Sequence, residues 1–122
     1  NADGIIIDWH TEATSEKVAL GWYLDGRVSA VFGTHTHVPT DDLRILPNGT
    51  AFRSDLGMNG LRDEILGAEK GIIIQNFVHP ETSHAHVWTD DGPTQLHAVL
   101  VEIDPATKLA TQVERIDHEE GA

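Results

Sequence analysis

Two histidines separated by one residue are the sharpest chemical feature of this sequence. His35 and His37 lie in the run GTHTH, residues 33–37, which follows a predicted strand and opens a polar loop. If the extended backbone continues, side chains two positions apart point the same way, so both imidazoles can reach one metal ion. Imidazole suits zinc, iron, nickel and manganese-type centres. Taken alone, this spacing fits either metal ligands or solvated loop histidines.

A third histidine, His10, ends an earlier predicted strand. The carboxyl ends of parallel strands meet at one edge of an α/β sheet, and ligands commonly bind at that edge. We therefore expect His10 to lie beside His35 and His37. Three histidines at one edge favour a metal site over solvated loop histidines. Asp8 or Glu12 could orient a ligand imidazole from behind. The alternative is that His10 pairs with one of these carboxylates and merely terminates its strand.

Composition limits the kind of protein and the kind of partner. The 122 residues support one domain and not two, residues 1–122, with 39% apolar residues to form a core. The formal charge of −12 argues against nucleic-acid duplexes and anionic membranes as partners, because both are polyanions. The absence of cysteine removes disulfides and thiolate metal sites, which leaves the eight histidines as the natural ligands. The sequence shows neither a signal peptide nor an apolar stretch of membrane-spanning length, and we predict a cytoplasmic location.

The first third of the chain predicts the elements that position these histidines. The β-branched run at residues 5–7 predicts a buried strand that ends near residue 10. Thr14 is the expected N-cap of a helix over residues 15–24, which Asp25-Gly26 terminates. Residues 27–32 predict a second strand ending at Gly33. A strand, helix and strand in this order predict a parallel, right-handed βαβ unit.

The rest of the chain predicts mostly antiparallel strands. Residues 44–46 and 50–53, joined by Pro47-Asn48-Gly49, are typical of a hairpin, and residues 62–66 predict one or two helical turns. Further strands are predicted at residues 71–77, 84–89, 95–104 and 109–115. The strand at 95–104 is apolar on nearly both faces, so we expect it to be central. We expect the acidic tail, residues 118–122, to be frayed.

The remaining candidate residues carry weaker signals. His84 and His86 form a second pair with one residue between them, but they lie among antiparallel candidates away from the expected site edge. Asp55 could be a carboxylate of a site loop, although a simple turn residue is the favoured interpretation. Trp9 and Trp22 are expected in the core. The other histidines are interpreted as surface or edge residues: His79, His97 and His118.

Two long motifs resemble one known family. Residues 8–17, DWHTEATSEK, resemble the DFHAEATSEK signature of the YmdB-type metallophosphoesterases, and residues 33–38, GTHTHV, resemble a second block of that family. Segments 44–47, 49–51 and 55–58 are similar to the stretch that follows, so the resemblance covers nearly the whole chain. It implies an α/β fold that forms the C-terminal part of a metallophosphoesterase β-sandwich flanked by helices.

The resemblance also implies an activity and a set of ligands. Members of the family are metal-dependent phosphodiesterases, notably of 2′,3′-cyclic nucleotides, with a two-metal centre of iron or manganese, or of zinc. By motif, His10, His35 and His37 match metal ligands, and no catalytic residue can be assigned. Water at such a centre attacks phosphorus in line while the metals stabilise charge on the phosphate oxygens.

Departures from the family pattern limit what this chain is expected to do. Trp9, Thr11 and Pro39 replace the usual Phe, Ala and Gln. The family also carries an N-terminal half with further ligands and a catalytic-type histidine, which nothing in this sequence supplies. We therefore expect a C-terminal fragment with at most three ligands and little or no activity alone. Its expected partners are a small phosphodiester or cyclic nucleotide, and either the missing N-terminal half or a second copy. The alternative is a non-catalytic metal-binding, pseudoenzyme or assembly module.

Overall fold

A computed structural model describes residues 2–121. Within this range the chain forms two helices, one short 3₁₀ helix and seven strands, which make up two sheets. It divides into two compact units, one of residues 2–58 with 97–116 and one of residues 59–96 with 117–121. The structure is therefore of the mixed α/β class that the sequence predicts. No helix among the described residues is long and apolar enough to cross a membrane.

The first unit contains a four-stranded sheet whose carboxyl edge carries the predicted histidines. Its strands are β1 (Ile6–His10), β2 (Ala30–Thr34), β3 (Arg44–Ile45) and β4 (Ala51–Arg53), in the order β1-β2-β4-β3. β1 and β4 both run parallel to β2, and β3 pairs antiparallel with β4. The predicted parallel pairing of the βαβ unit and the predicted hairpin are thus confirmed. The register pairs His10 with Thr34, so β1 and β2 end side by side.

Helix α1 (Thr14–Leu24) connects β1 to β2 and packs on one face of the sheet. The predicted N-cap, Thr14, is wrong: Ala13 occupies that position without a side-chain cap, and Thr14 begins the helix. Gly21 is buried, and a Cβ there would lie 2.5 Å from the Phe52 ring, so the glycine permits close helix–sheet packing. The predicted end of the helix at Asp25 is confirmed.

Apolar residues cover both faces of this sheet. One core contains Val31 of β2 and Phe52 of β4, together with Val28 just before β2 and Leu46 just after β3. Residues Val18, Leu20 and Leu24 of α1 pack against it. The opposite core contains Ala30, Phe32, Ala51 and Ala110, with Val99, Val101 and Val113 packed against it. These last residues belong to β6 (Thr94–Ile103) and β7 (Ala110–Glu120), which follow β5 (Gly60–Leu61) in the sheet order β5-β6-β7. The central position predicted for the strand at 95–104 is confirmed.

β1 contradicts the expectation of a buried strand. It is the terminal strand of its sheet and pairs only with β2, and Ile5 and Ile6 are 47% and 59% exposed. The tryptophans predicted for the core are also exposed: Trp9, on this edge strand, is 39% exposed and Trp22, on α1, is 51% exposed. An apolar run shows that a strand can be buried, but sheet order decides whether anything covers it.

The second unit contains the largest error of the sequence prediction. Residues 71–77 form not a strand but most of helix α2 (Lys70–Val78). The Glu69 side chain accepts hydrogen bonds from the N–H groups of Gly71 and Ile72, which satisfies two donors of the first helical turn. This local cap outweighs the strand preference of three isoleucines, which is only a weak bias.

Three smaller predictions also fail. The helical turns predicted at residues 62–66 are absent; that segment holds bends, a turn and an isolated bridge. The strand predicted at 84–89 is reduced to one bridge between Ala68 and Trp88, and a 3₁₀ helix, Pro80–Thr82, precedes it. The predicted frayed tail is wrong for residues 118–120, because β7 continues to Glu120. Ala122 lies outside the described residues.

Candidate metal centre

The structure brings two of the three predicted ligands together at the carboxyl edge of the first sheet. His10 Nε2 and His35 Nδ1 are 3.2 Å apart, with ring centroids 5.1 Å apart and ring planes at 74°. Both side chains are exposed, so a ligand can approach from solvent. Their convergence follows from the parallel pairing of β1 and β2, which places residue 10 beside the start of the loop that carries His35.

The tautomer of His10 can be read from its neighbours. The Thr34 hydroxyl donates to Asp8 Oδ1 at 3.1 Å and lies 3.0 Å from His10 Nδ1. A hydroxyl has one proton, and here it points to Asp8, so it accepts from His10 Nδ1–H. In neutral imidazole the other nitrogen is then unprotonated. His10 therefore presents its Nε2 lone pair toward His35.

The separation of the two nitrogens suits a shared metal ion. Imidazole nitrogens lie about 2.1 Å from a bound metal, so two of them are about 3.0 Å apart at a right angle and about 3.4 Å apart at the tetrahedral angle. The observed distance between His10 Nε2 and His35 Nδ1 is 3.2 Å, within this range. The distance therefore fits two ligands of one ion, although the contact is a hydrogen bond and the His35 Nδ1 proton would have to leave before both nitrogens could bind a metal.

His37 lies on the same loop, but the structure does not group it with the pair. Among residues 2–121, no cluster of three or more His, Cys, Asp or Glu side chains could hold a metal ion. The His37 carbonyl accepts from Met58 N–H at 3.0 Å, and its φ of 66° is left-handed. The backbone thus leaves the extended geometry that would point His35 and His37 the same way.

A buried ion pair lies behind the segment of residues 33–37, which carries His35 and His37 and is called the histidine loop below. Lys17 Nζ of α1 is 3.0 Å from Asp55 Oδ2, and both side chains are 2% exposed. The Thr36 N–H also donates to Asp55 Oδ2, at 2.8 Å, and the Gly57 N–H donates to Oδ1, at 2.9 Å. Burial by itself would raise the pKa of Asp55, but these donors outweigh it, and the pKa lies below its ordinary value. Asp55 is therefore a buried anion and not a simple turn residue.

Gly33 lets the histidine loop lie close to Lys17 and to the segment after β4. A Cβ at this position would lie 1.9 Å from the Ser54 carbonyl oxygen and 2.8 Å from Lys17 Cδ. The Gly33 carbonyl accepts from Leu56 N–H at 2.9 Å, which ties the start of the histidine loop to the segment after β4. Any side chain here would push the loop away from Asp55.

The sequence reasoning missed Thr34 and Lys17. For Lys17 a signal existed, because it shares the sheet-facing side of α1 with Gly21, four residues on, and a charged residue on a buried face needs a counter-ion. Nothing in the sequence indicates that Thr34 connects Asp8 to His10, since this depends on the exact register of β1 and β2.

The other histidines lie outside this centre. His84 and His86 are exposed and belong to the second unit, in which the His84 backbone exchanges hydrogen bonds with the Asn76 side chain. His79 pairs with Glu81 at 3.4 Å on the surface of the same unit. None of these three histidines adds a ligand to the pair formed by His10 and His35.

Comparison with known proteins places the chain among phosphoesterase relatives. It is 53% identical over 112 residues to a 2′,3′-cyclic-nucleotide 2′-phosphodiesterase of Bacillus subtilis, covering 92% of this chain and 42% of that protein. It is 41% identical over 112 residues to a putative phosphatase/phosphodiesterase of Mycoplasma pneumoniae, covering 91% of this chain and 39% of that protein. The chain thus spans about two fifths of the length of these curated relatives.

A solved structure agrees with the fold. The crystal structure of a novel phosphatase from Mycoplasma pneumoniae matches 99% of this chain and 43% of its own, with a TM-score of 0.88 and 38% identity. The sequence model of the family described as YmdB-like protein matches residues 1–116. The chain therefore belongs to the YmdB-like protein family.

Proposed function

We propose that this chain forms part of a metal-dependent phosphodiesterase and supplies His10, His35 and His37 as metal ligands. The observation that carries this proposal is the 3.2 Å separation of His10 Nε2 and His35 Nδ1 at an exposed sheet edge. The names of the two relatives support the reaction class, because one is named a phosphodiesterase and the other a putative phosphatase/phosphodiesterase. His37 is included on the strength of the motif that it shares with His35.

The residues of the chain prepare this site in three ways. Thr34 and Asp8 hold the proton of His10 on Nδ1, so Nε2 stays available. His35 faces that nitrogen from the neighbouring strand end, so both ligands come from one preformed edge. The edge is open, which admits a small phosphodiester. Bound metal ions would supply Lewis-acid charge for the phosphoryl oxygens.

For the substrate we propose a small phosphodiester of the 2′,3′-cyclic nucleotide class, after the name of the Bacillus subtilis relative. With a formal charge of −12 on the chain, binding of an anionic substrate depends on cations at the site. Imidazole ligands are compatible with iron, manganese or zinc, and we propose iron or manganese first.

Three imidazoles leave positions of a two-metal centre unfilled, so we propose that the remaining ligands come from outside this chain. Either the segment that its longer relatives carry or a second copy would complete the site, and the two sheets would form the C-terminal part of a β-sandwich. Support comes from β1, whose outer edge is unpaired within the described sheet. On this proposal, the chain alone has little or no hydrolytic activity.

Metal analysis of the chain and of two variants tests the ligand assignment. After incubation with Mn²⁺ or Fe²⁺ and removal of unbound metal, His35→Ala should retain far less metal than the unchanged chain. His84→Ala is the matched control, because it removes an exposed histidine from the other pair and should retain the full amount. Equal metal content in all three proteins would rule out His35 as a ligand.

Hydrolysis of bis-p-nitrophenyl phosphate tests the reaction. We expect activity with added Mn²⁺ or Fe²⁺ in a longer chain that includes the preceding segment of its relatives, and little or none in residues 1–122 alone. Loss of that activity in the longer chain on His35→Ala substitution would tie it to this site. Metal binding without hydrolysis in either chain would instead indicate the non-catalytic module.

A further inference from the structure

The histidine loop has a backbone that needs external support. His35 and His37 have φ values of 141° and 66°, a region that residues with side chains rarely adopt. Such a backbone conformation is strained and persists only where the surrounding structure determines it. The two flank Thr36, so the Thr36 peptide is the point at which support would act on both histidines.

That support comes from Asp55. Its Oδ2 accepts from the Thr36 N–H at 2.8 Å, and its Oδ1 accepts from the Gly57 N–H at 2.9 Å. Two backbone bonds frame this contact: Leu56 N–H donates to the Gly33 carbonyl, and Met58 N–H donates to the His37 carbonyl. The segment that begins at Asp55 is therefore bonded to the loop at its start, middle and end.

Lys17 fixes the carboxylate in turn. Its Nζ lies 3.0 Å from the same Oδ2 that receives Thr36, and both side chains of the pair are 2% exposed. Breaking a buried ion pair by removing one partner is strongly destabilising, because a charge is left uncompensated. Since Lys17 belongs to α1 and Asp55 follows β4, the pair connects the helix, the sheet and the loop.

We propose that Lys17 and Asp55 form a positioning clamp that holds the Thr36 peptide and thereby keeps the backbone of the histidine loop, and with it His35 beside His10, in the observed conformation. Neither residue touches the site directly, so both act through the loop. The ligand part of this inference rests on the proposed metal site. The clamp itself is a statement about backbone geometry and can be tested without metal.

Two variants and two controls separate a clamp from general stability. Asp55→Asn removes the charge but keeps one oxygen, and Lys17→Met removes the ammonium group but keeps the apolar stem. Asp41→Asn is the matched carboxylate control, because the Asp41 side chain is 99% exposed. Val28→Ala, in the core just before β2, lowers stability without touching the loop.

The first measurement is amide hydrogen exchange without metal. In the unchanged chain the Thr36 amide should exchange at least tenfold more slowly than the Val38 amide, whose acceptor is the exposed Thr36 hydroxyl. Asp55→Asn should reduce the protection of Thr36 at least tenfold relative to Asp41→Asn. A Thr36 amide that exchanges as fast as that of Val38 overturns the proposal, and this comparison needs no variant to fold.

The second measurement is Zn²⁺ affinity by calorimetry under conditions where each variant is folded. Asp55→Asn and Lys17→Met should bind Zn²⁺ about tenfold more weakly, whereas Asp41→Asn and Val28→Ala should bind it normally. An equal loss in Val28→Ala, or unchanged affinity in Asp55→Asn, overturns the clamp. If the unchanged chain binds no Zn²⁺, the metal site fails, and slow exchange of Thr36 still decides whether the clamp exists.

Discussion

At the scale of single residues, the candidate centre depends on where one proton is held. Thr34 can accept from His10 only because its own hydroxyl proton goes to Asp8. This chain of two hydrogen bonds selects the tautomer that directs Nε2 toward His35. Groups behind a ligand commonly change metal affinity by tenfold to a hundredfold, so Thr34 matters although it is not itself a ligand.

Replacing Thr34 with valine should therefore weaken metal binding without unfolding the chain. Thr34→Val keeps the shape but removes the acceptor for His10 Nδ1–H, and we expect Co²⁺ affinity, followed by visible absorption, to fall about tenfold. The ¹⁵N shifts of His10 without metal should indicate a larger share of the Nε2–H tautomer. Thr111→Val, on the exposed side of β7, is the control. Unchanged His10 shifts in Thr34→Val would contradict the hydrogen-bond assignment.

At the scale of elements, single side-chain contacts decide which secondary structure forms and how closely it packs, where the sequence pattern does not. Helix α2 contains three consecutive isoleucines, a composition typical of strands, yet the Glu69 carboxylate bonds the N–H groups of Gly71 and Ile72 and starts a helix. In α1, Gly21 allows the helix to lie against Phe52. In α2 one residue starts the helix by accepting two backbone hydrogen bonds, and in α1 one residue allows close packing by having no side chain. Neither contact can be predicted from the spacing of apolar residues.

The cap of α2 predicts a measurable effect on stability. Glu69→Ala removes the acceptor of two backbone donors, so we expect the free energy of unfolding to fall and the Gly71 and Ile72 amides to exchange faster. Urea titration and hydrogen exchange measure these changes. Glu81→Ala, at a 67% exposed side chain in the same unit, should leave both nearly unchanged. Equal effects of the two substitutions would show that Glu69 does not cap the helix.

At the scale of the whole chain, 20 acidic residues make the stability depend on pH, but only some of them are held in the fold. Burial by itself raises the pKa of Asp42, yet hydrogen bonds from Thr40 and Ser54 outweigh it and place the pKa below its ordinary value. Asp55 behaves alike through Thr36, Gly57 and Lys17. Both carboxylates bind their proton less readily in the folded state than in the unfolded state.

Acid should therefore destabilise the chain over a defined range. The contribution of these two groups is fully present above the unfolded pKa of about 3.9 and is lost as the pH falls through their lower folded values. Urea unfolding at decreasing pH should show stability falling below about pH 4. A variant carrying Asp42→Asn and Asp55→Asn should start less stable and show a shallower decline. An equally steep decline in that variant would assign the acid sensitivity to other groups.

Much of the fold and part of the site could be predicted from the sequence. The βαβ unit, the hairpin and the central β6 follow from periodicity and turn residues, which are local signals. The family follows from two ordered motifs, which also mark His10, His35 and His37. The errors in β1 and at the two tryptophans share one cause, because apolar composition does not record which partner covers a segment. The error at residues 71–77 has another cause, the cap that Glu69 provides for helix α2.

The sequence by itself determined the family, the mixed α/β class and the histidines that lie at one sheet edge, because motif order and strand ends are properties of the chain. The tertiary structure decided which side chains meet. It brought His10 and His35 to 3.2 Å, connected Asp8 to His10 through Thr34, and buried Lys17 against Asp55 behind the loop. These contacts depend on strand register and on two left-handed residues, neither of which can be read from residue types and spacing.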